Sequence, residues 1–295
     1  MGPLFYSLYT AELENIAIKY GLRIHTYADD SQIYTTFNNH NITDTEANLQ
    51  SCLNEIKCWM SSNFLMLNSN KTLVKIFWAN KKLTPDIDRV LNINTVSSIK
   101  VLGVTLNDTN KFTDFISNKV KICNMHLRNL YNIRDYLDVK TRTLLVTNLV
   151  LSTIDYCNVL LLGCNQKDLK PLKLILNRSV RYILDVNFRQ HVTPFYKKLH
   201  FLPIQKRIQF KTCLLAYKIF FRIAPKYLHD DFPHYEPIQQ MRLREGSGRD
   251  IFMFQNDKND VTNKTFYSKL RSNWNQLPLS ILYVNVNLSH YSNPN

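Results

Sequence analysis

Glycine is scarce in this 295-residue chain: six residues, with no Walker loop and no dinucleotide fingerprint, so the common phosphate-cradling loops and any collagen-like or low-complexity reading are excluded. Cysteine is also sparse, and Cys52, Cys58, Cys123, Cys157, Cys164 and Cys213 are scattered without a paired short spacing. No Cys-Cys-His-Cys knuckle is formed, so the sequence predicts reduced, mostly buried thiols in an intracellular protein, with Cys157 and Cys164 on a helix. Long apolar runs are missing: Lys218 interrupts the stretch from Leu214 to Phe221, and nothing approaches the roughly 20 apolar residues of a membrane span. The opening Met1-Gly2-Pro3-Leu4-Phe5-Tyr6 has no basic leader, and Tyr6 stands where a myristoylation signal needs Ser or Thr. The expectation is no membrane attachment and no secretion. Acid is the last shortage: 23 Asp and Glu against 37 Lys and Arg leave a net charge of +14, which points to a polyanionic partner, nucleic acid first.

What is present is the composition of a folded chain, 45% hydrophobic and 20% charged. Residues 22–37 place two β-rich runs around a central Asp29-Asp30, a hairpin signature with the carboxylates at its tip. Thr43 and Glu46 read as a capping box, and Leu49, Leu53, Ile56 and Met60 recur at helical spacing, so a helix is predicted over 44–62. Phe64–Leu67, Val74–Trp78 and Lys100–Leu106 around Gly103 read as further strands. Residues 1–106 are therefore expected to be an α+β module, a helix covering a mostly antiparallel sheet. Beyond Asn107 helical periods take over, Asp138 is a plausible N-cap, and a flexible joint at Gly246-Ser247-Gly248 precedes a short helix near Lys264–Trp274.

From Lys167 to Arg222 thirteen basic residues face two acidic ones, Asp168 and Asp185, with aromatic residues interleaved. For Phe210, Leu214, Tyr217 and Phe221, at i, i+4, i+7 and i+11, a core stripe is the expected role. For the charges the expected role is nucleic-acid binding, with Lys167, Lys170, Lys173, Arg178, Arg181, Lys197, Lys198, Lys206 and Arg207 as candidate contacts. Trp59 and Trp78 read as core, and His191 and His200 as loop or core histidines.

Tyr27-Ala28-Asp29-Asp30 is the sharpest feature. Two adjacent carboxylates on a tight turn aim their oxygens at one point, the arrangement that a hard divalent cation such as Mg²⁺ needs, although Asp also favours turns for purely local hydrogen bonding. The motif has company. Met1-Gly2-Pro3-Leu4-Phe5-Tyr6-Ser7-Leu8-Tyr9, Tyr27-Ala28-Asp29-Asp30, Trp59-Met60-Ser61-Ser62-Asn63 with Leu67-Asn68 and Lys71-Thr72, and Val101-Leu102-Gly103-Val104 follow in order. In order and spacing these stretches resemble the reverse transcriptases of non-long-terminal-repeat retrotransposons, jockey-like and related elements. The likeness continues through Leu151–Asn158 and Leu199–Ile204, then less distinctly to Trp274–Pro278.

The resemblance implies an RNA-directed DNA polymerase that uses Mg²⁺ (or Mn²⁺), an RNA template, a DNA primer and deoxynucleoside triphosphates. By position, Asp29 and Asp30 match the metal-binding catalytic aspartates of the palm, and Tyr27 the tyrosine beside the primer terminus. Lys71 matches a palm lysine that protonates the leaving pyrophosphate, and Leu102-Gly103 the grip on the primer strand. A partial palm at 1–106, a helical thumb-like region at 107–165 and a basic, mainly helical region at 166–295 are expected. The match starts after the fingers and the strand that carries another metal-binding aspartate, so the chain is expected to be inactive alone. A non-catalytic nucleic-acid-binding protein derived from such an element is the alternative. The implied location is the nucleus or a cytoplasmic ribonucleoprotein; nothing in the sequence sets the oligomeric state.

Overall fold

The computed structural model describes residues 2–38, 40–77, 96–107, 112–220, 222–230 and 266–277. The chain divides into two compact units, Met1–Lys111 and Phe112–Asn295. Together they make a helix-rich structure with two small antiparallel sheets, broadly α+β.

The first unit runs α1 (Gly2–Tyr9), α2 (Glu12–Lys19), β1 (Arg23–Tyr27), β2 (Asp30–Tyr34), α3 (Ile42–Ser62), β3 (Ser98–Val101) and β4 (Val104–Asn107). Its core is built where α2 crosses α3: Leu13, Ile16, Ala17 and Leu22 bury against Cys52 and Ile56, with Ile24 and Ile33 of the first hairpin, Leu49, Trp59 and Met60 at the margin. Lys19 and the Tyr20 hydroxyl close this crossing from outside, donating to Glu55 at 2.7 and 2.6 Å and holding its carboxyl below the usual range. The capping box at Thr43 is not used. The helix starts two residues earlier, at Ile42, because Asn38 and Asn41 exchange hydrogen bonds, each side-chain oxygen accepting from the other's backbone N–H at 3.1 and 2.7 Å, which already organises the entry turn.

Two strand expectations fail. Phe64 follows the helix with φ 56°, a left-handed C-terminal geometry no strand contains, and Phe64–Leu67 has no strand partner among the described residues. Val74 makes one bridge, its carbonyl accepting from Val96 N–H at 3.0 Å, and Trp78 lies outside the described residues. Instead of one covered sheet, the described residues hold two separate hairpins, β1–β2 and β3–β4.

The second unit contains α4 (Thr113–Asn132), a 3₁₀ turn at Arg134–Tyr136, α5 (Val139–Val146), a π-helical turn at Thr147–Leu151, and α6 (Ser152–Asp155). A 3₁₀ turn at Asn158–Leu161 leads on to α7 (Gln166–Leu184), α8 (Thr193–Lys198), α9 (Ile204–Phe220), α10 (Lys226–Asp230) and α11 (Phe266–Asn275). Asp138 is the N-cap of α5, accepting from Thr141 N–H at 2.9 Å. Leu127 and Leu130 of α4, Val146, Val150 and Ile154 of the α5–α6 rod, and Leu172, Leu176, Val180 and Ile183 of α7 are buried almost completely. Each contributes about 1.5–3 kcal/mol by leaving water. The carbonyls freed at the end of α7 are taken by arginines: Arg134 Nε donates to Tyr182 O at 3.2 Å, and Arg142 Nη1 to Ile183 O at 3.2 Å.

Helix α9 corrects the stripe expected from its sequence. Ile204, Ile208, Ala216 and Ile219 face inward with Thr212, whereas Phe210 is 55% exposed, Leu214 is exposed, and Phe221 lies outside the described residues. Both stripes have helical spacing; the one with β-branched and small side chains allows closer approach to Leu270 and Trp274 of α11. Tyr217 sits at the edge of that cluster, its ring 6.4 Å from Trp274. The thiols also differ from expectation. All six are free, but only Cys52 and Cys123 are buried; Cys157 is a left-handed residue (φ 50°) between α6 and the following turn, and Cys164 lies in a loop. The Gly246–Gly248 joint lies outside the described residues, while α11 overlaps the helix expected near Lys264–Trp274.

Candidate functional site

The Asp pair is set by the register of the first hairpin. Tyr27 pairs with Asp30, so Ala28 and Asp29 are the two central residues of the turn, and Asp30 opens β2. Of these, Ala28 has a positive φ, 53°, and Asp29 does not, the pattern of a type II′ turn, which matches strand twist but normally takes glycine first. An alanine here holds the turn at a cost of about 1–2 kcal/mol. Strain of this kind concentrates at functional turns, where surrounding pairing over-determines the backbone. Tyr27, Asp29 and Asp30 are all exposed, Tyr27 to 65%. Only Ile24 and Ile33, at the far end of the ladder, anchor the hairpin on the core.

Lys71 lies on a different turn. Asn68 shapes it: its carbonyl accepts from Lys71 N–H at 3.0 Å and from Thr72 N–H at 3.1 Å, and its side-chain oxygen accepts from Lys71 N–H at 3.3 Å. The Lys71 side chain is exposed. Leu102 and Gly103 are the central residues of the second hairpin, between paired Val101 and Val104, and both have positive φ, 45° and 81°, a type I′ turn. Glycine at 103 meets that requirement without strain, while Leu102 meets it with a side chain 37% exposed. The two motif turns thus share a construction: each is the tip of a short antiparallel ladder with a non-glycine residue forced left-handed. Asp29 and Asp30 are adjacent; among the described residues no group of three His, Cys, Asp or Glu side chains is placed to hold a metal ion.

Lys167, Lys170, Lys173, Arg178, Lys197, Lys198 and Lys206 are exposed. Two further candidates are engaged inside the unit. Arg207 Nε lies 3.2 Å from Asp155, with its side chain only 13% exposed, and Arg181 Nη2 donates to Phe188 O and Gln190 O, both at 3.2 Å, while its guanidinium stacks over the Phe188 ring. His191 and His200 are exposed, His200 in a left-handed turn after α8.

Sequence reasoning passed over a buried cation. Lys119 of α4 donates from Nζ to Thr153 O at 2.5 Å and Tyr156 O at 2.7 Å, below the end of α6, and stands 4.5 Å from the Phe115 ring centroid. Burial pushes its pKa down to about 8, and burial likewise pushes the neighbouring Cys123 thiol up to about 11. Its position in a helical stripe of α4 gave no signal, because the carbonyls it serves come from more than thirty residues away.

Residues 1–106 match the family model of reverse transcriptase (RNA-dependent DNA polymerase). The span includes both motif hairpins and the Lys71 turn, so the first unit is similar to a segment of such polymerases. No curated protein and no solved structure matches the chain.

Proposed function

We propose that the chain is a fragment of the reverse transcriptase of a non-long-terminal-repeat retrotransposon, in which Asp29 and Asp30 hold one side of a Mg²⁺ (or Mn²⁺) site. The observation that carries this reading is the carboxylate pair on a strained hairpin tip inside a span matched to the reverse transcriptase family. Reverse transcriptases use divalent metals, and the donor set fits: Mg²⁺ is commonly held by one or two carboxylates together with substrate phosphates. When bound, the ion supplies charge neutralisation at the phosphate undergoing displacement. Asp29 and Asp30 present oxygens from one turn and otherwise repel each other. Tyr27, beside them, offers an exposed ring and hydroxyl to a primer end; Leu102 and Gly103 bring a second hairpin tip to the primer strand; and Lys71 delivers a proton to the leaving pyrophosphate from a mobile ammonium.

The chain is inactive by itself in this reading, because two-metal phosphoryl transfer needs carboxylates on both sides of the cation pair and Asp29 and Asp30 supply one side. The same one-sided supply favours a second reading, a non-catalytic nucleic-acid binder derived from such an element. In both readings 1–106 is a partial palm, 107–165 thumb-like and 166–295 basic, acting on RNA and DNA in the nucleus or a cytoplasmic ribonucleoprotein. No helix among the described residues is long and apolar enough to cross a membrane.

Primer extension decides. With an RNA template, Mg²⁺ and deoxynucleotides, the chain alone yields no product, and a polymerase completed with upstream fingers and palm from a related element extends the primer. In that polymerase Asp29→Ala removes extension and leaves template binding intact, and Lys71→Ala slows incorporation by about 10²–10⁴-fold. Wild-type extension by the Asp29 variant refutes the metal assignment. Failure of the completed polymerase, with RNA binding by the chain retained, selects the binding protein.

A further inference from the structure

The second unit carries a cleft of about 440 Å³ lined by Asn124, Arg128, Tyr131 and Asn132 of α4 and Arg178 of α7. Asn124, Arg128 and Tyr131 are at i, i+4 and i+7, one stripe of the helix, and the contacts Asn124–Arg178 and Tyr131–Tyr182 set α4 and α7 side by side in the same direction. Its lining has two guanidinium groups and no carboxylate. The nearby Asp185 is occupied by its ion pair with Arg134. Arg128 is exposed and has no hydrogen bond or ion pair among the described residues, so its charge is available to a ligand. Arg178 Nη1 donates to Asn124 Oδ1 at 2.6 Å, which fixes both side chains and leaves the Asn124 amide N–H₂ free to donate.

The aromatic component narrows the ligand. Tyr131 packs edge-to-face on Tyr182 with centroids 5.1 Å apart, yet stays 41% exposed, so a well-supported ring is open to a planar partner. Below it the Tyr182 hydroxyl is buried, and among the described residues it has no hydrogen-bond partner. Cations for phosphate, a ring for stacking and amides for hydrogen-bonding edges are the three components of nucleotide recognition. An acidic peptide would use the arginines but would leave the ring without a planar partner. Along the same face of α7, Lys167 and Lys170 precede Arg178 by eleven and eight residues, a basic track of roughly 16 Å leading to the cleft.

We propose that this cleft binds one nucleotide of a single-stranded nucleic acid, with the base stacked on Tyr131, its edge read by Asn124 and Asn132, and the flanking phosphates held by Arg128 and Arg178. The assignment is independent of the Asp29–Asp30 reading.

The test uses the full chain and a fluorescein-labelled 12-nucleotide single-stranded RNA, followed by anisotropy from 50 to 200 mM salt. Tyr131→Ala weakens binding by about 5- to 150-fold, whereas Tyr131→Phe, which keeps the ring, leaves it within about twofold of wild type. Arg128→Ala lowers the salt slope by about 0.7, the single-strand value for one phosphate contact. A 5-bromouridine strand irradiated on the wild-type chain crosslinks to the α4 peptide containing Tyr131. Adenosine monophosphate that competes at its own dissociation constant identifies free nucleotide as the source; competition only by the strand identifies nucleic acid. Unchanged affinity in Tyr131→Ala, a crosslink confined to other peptides, or a 12-base-pair duplex bound as tightly as the strand overturns the proposal. Should Tyr131→Ala unfold by circular dichroism, the Arg128→Ala slope and the wild-type crosslink decide it alone. Asp29→Ala leaves all of these readings unchanged.

Discussion

The two units solve opposite problems. Among the described residues of Met1–Lys111 the core is a small cluster at the α2–α3 crossing, α1 buries no residue at all, and Leu4, Phe5, Leu8, Phe64 and Met66 stand in solvent. In Phe112–Asn295 helices α4 and α7 and the rod between them bury long runs of leucine, isoleucine and valine, and arginines or Lys119 satisfy the helix-end carbonyls. The motif turns sit on the thin unit, reached by two-stranded ladders; the burial is in the other. A site whose geometry depends on ladder pairing and turn strain needs little core beneath it, but it also has little to resist distortion.

Five substitutions test that contrast, from the largest effect to the smallest. Leu172→Ala, in the second unit, costs about 2–5 kcal/mol in urea unfolding. Leu13→Ala, the same chemistry within the small core, costs clearly less, and equal losses would erase the distinction between the units. Lys119→Met should alter the pH profile. With its folded pKa near 8 against an ordinary 10.5, the unfolded chain binds more protons between those values. Wild-type stability relative to the variant therefore rises with pH across that window, by up to about 1.4 kcal/mol per pH unit, and is flat below it. A difference that falls with pH would mean the two carbonyls outweigh burial. Ala28→Gly relaxes the hairpin tip: stability measured by thermal unfolding should increase by no more than about 1 kcal/mol and should not fall, since the lost left-handed strain exceeds the added chain entropy. Finally, Phe64→Ser changes stability by less than about 0.5 kcal/mol, because the ring is 99% exposed. A larger loss would show that this side chain has a covering surface.

Local pattern and distant partnership differ in how legible they are. The first hairpin could be read because alternation flanks a central Asp-Asp, and the Asp138 cap because one residue and its own backbone neighbours decide it. The α9 stripe was misread because two apolar stripes share one helix and only the shape of α11 chooses between them. Phe64–Leu67 looked like a strand because composition does not report a left-handed Phe64. Arg181 and Arg207 looked like free charge because the residues that engage them, Phe188 and Asp155, are identified by packing and not by spacing. The carboxylate pair was visible from the outset, and the Arg128–Tyr131–Arg178 cleft was not, since Arg178 arrives on another helix, 54 residues beyond the Asn124 it pairs with.

The wide turn at Thr147–Leu151 has a geometric consequence for the rod between Val139 and Asp155. A wide turn absorbs one extra residue, so everything after it lies about 100° from where an unbroken α-helix of the same sequence would put it, with almost no change in length. Val146 and Ile154, both fully buried on either side of it, therefore owe their common orientation to that offset. Deleting a single residue from the five would let the rod close into regular α-helix with Ile154 still facing inward, because seven residues make nearly two whole turns; closing the turn with all five residues kept would swing Ile154 away from the interior, a change of phase and not of distance.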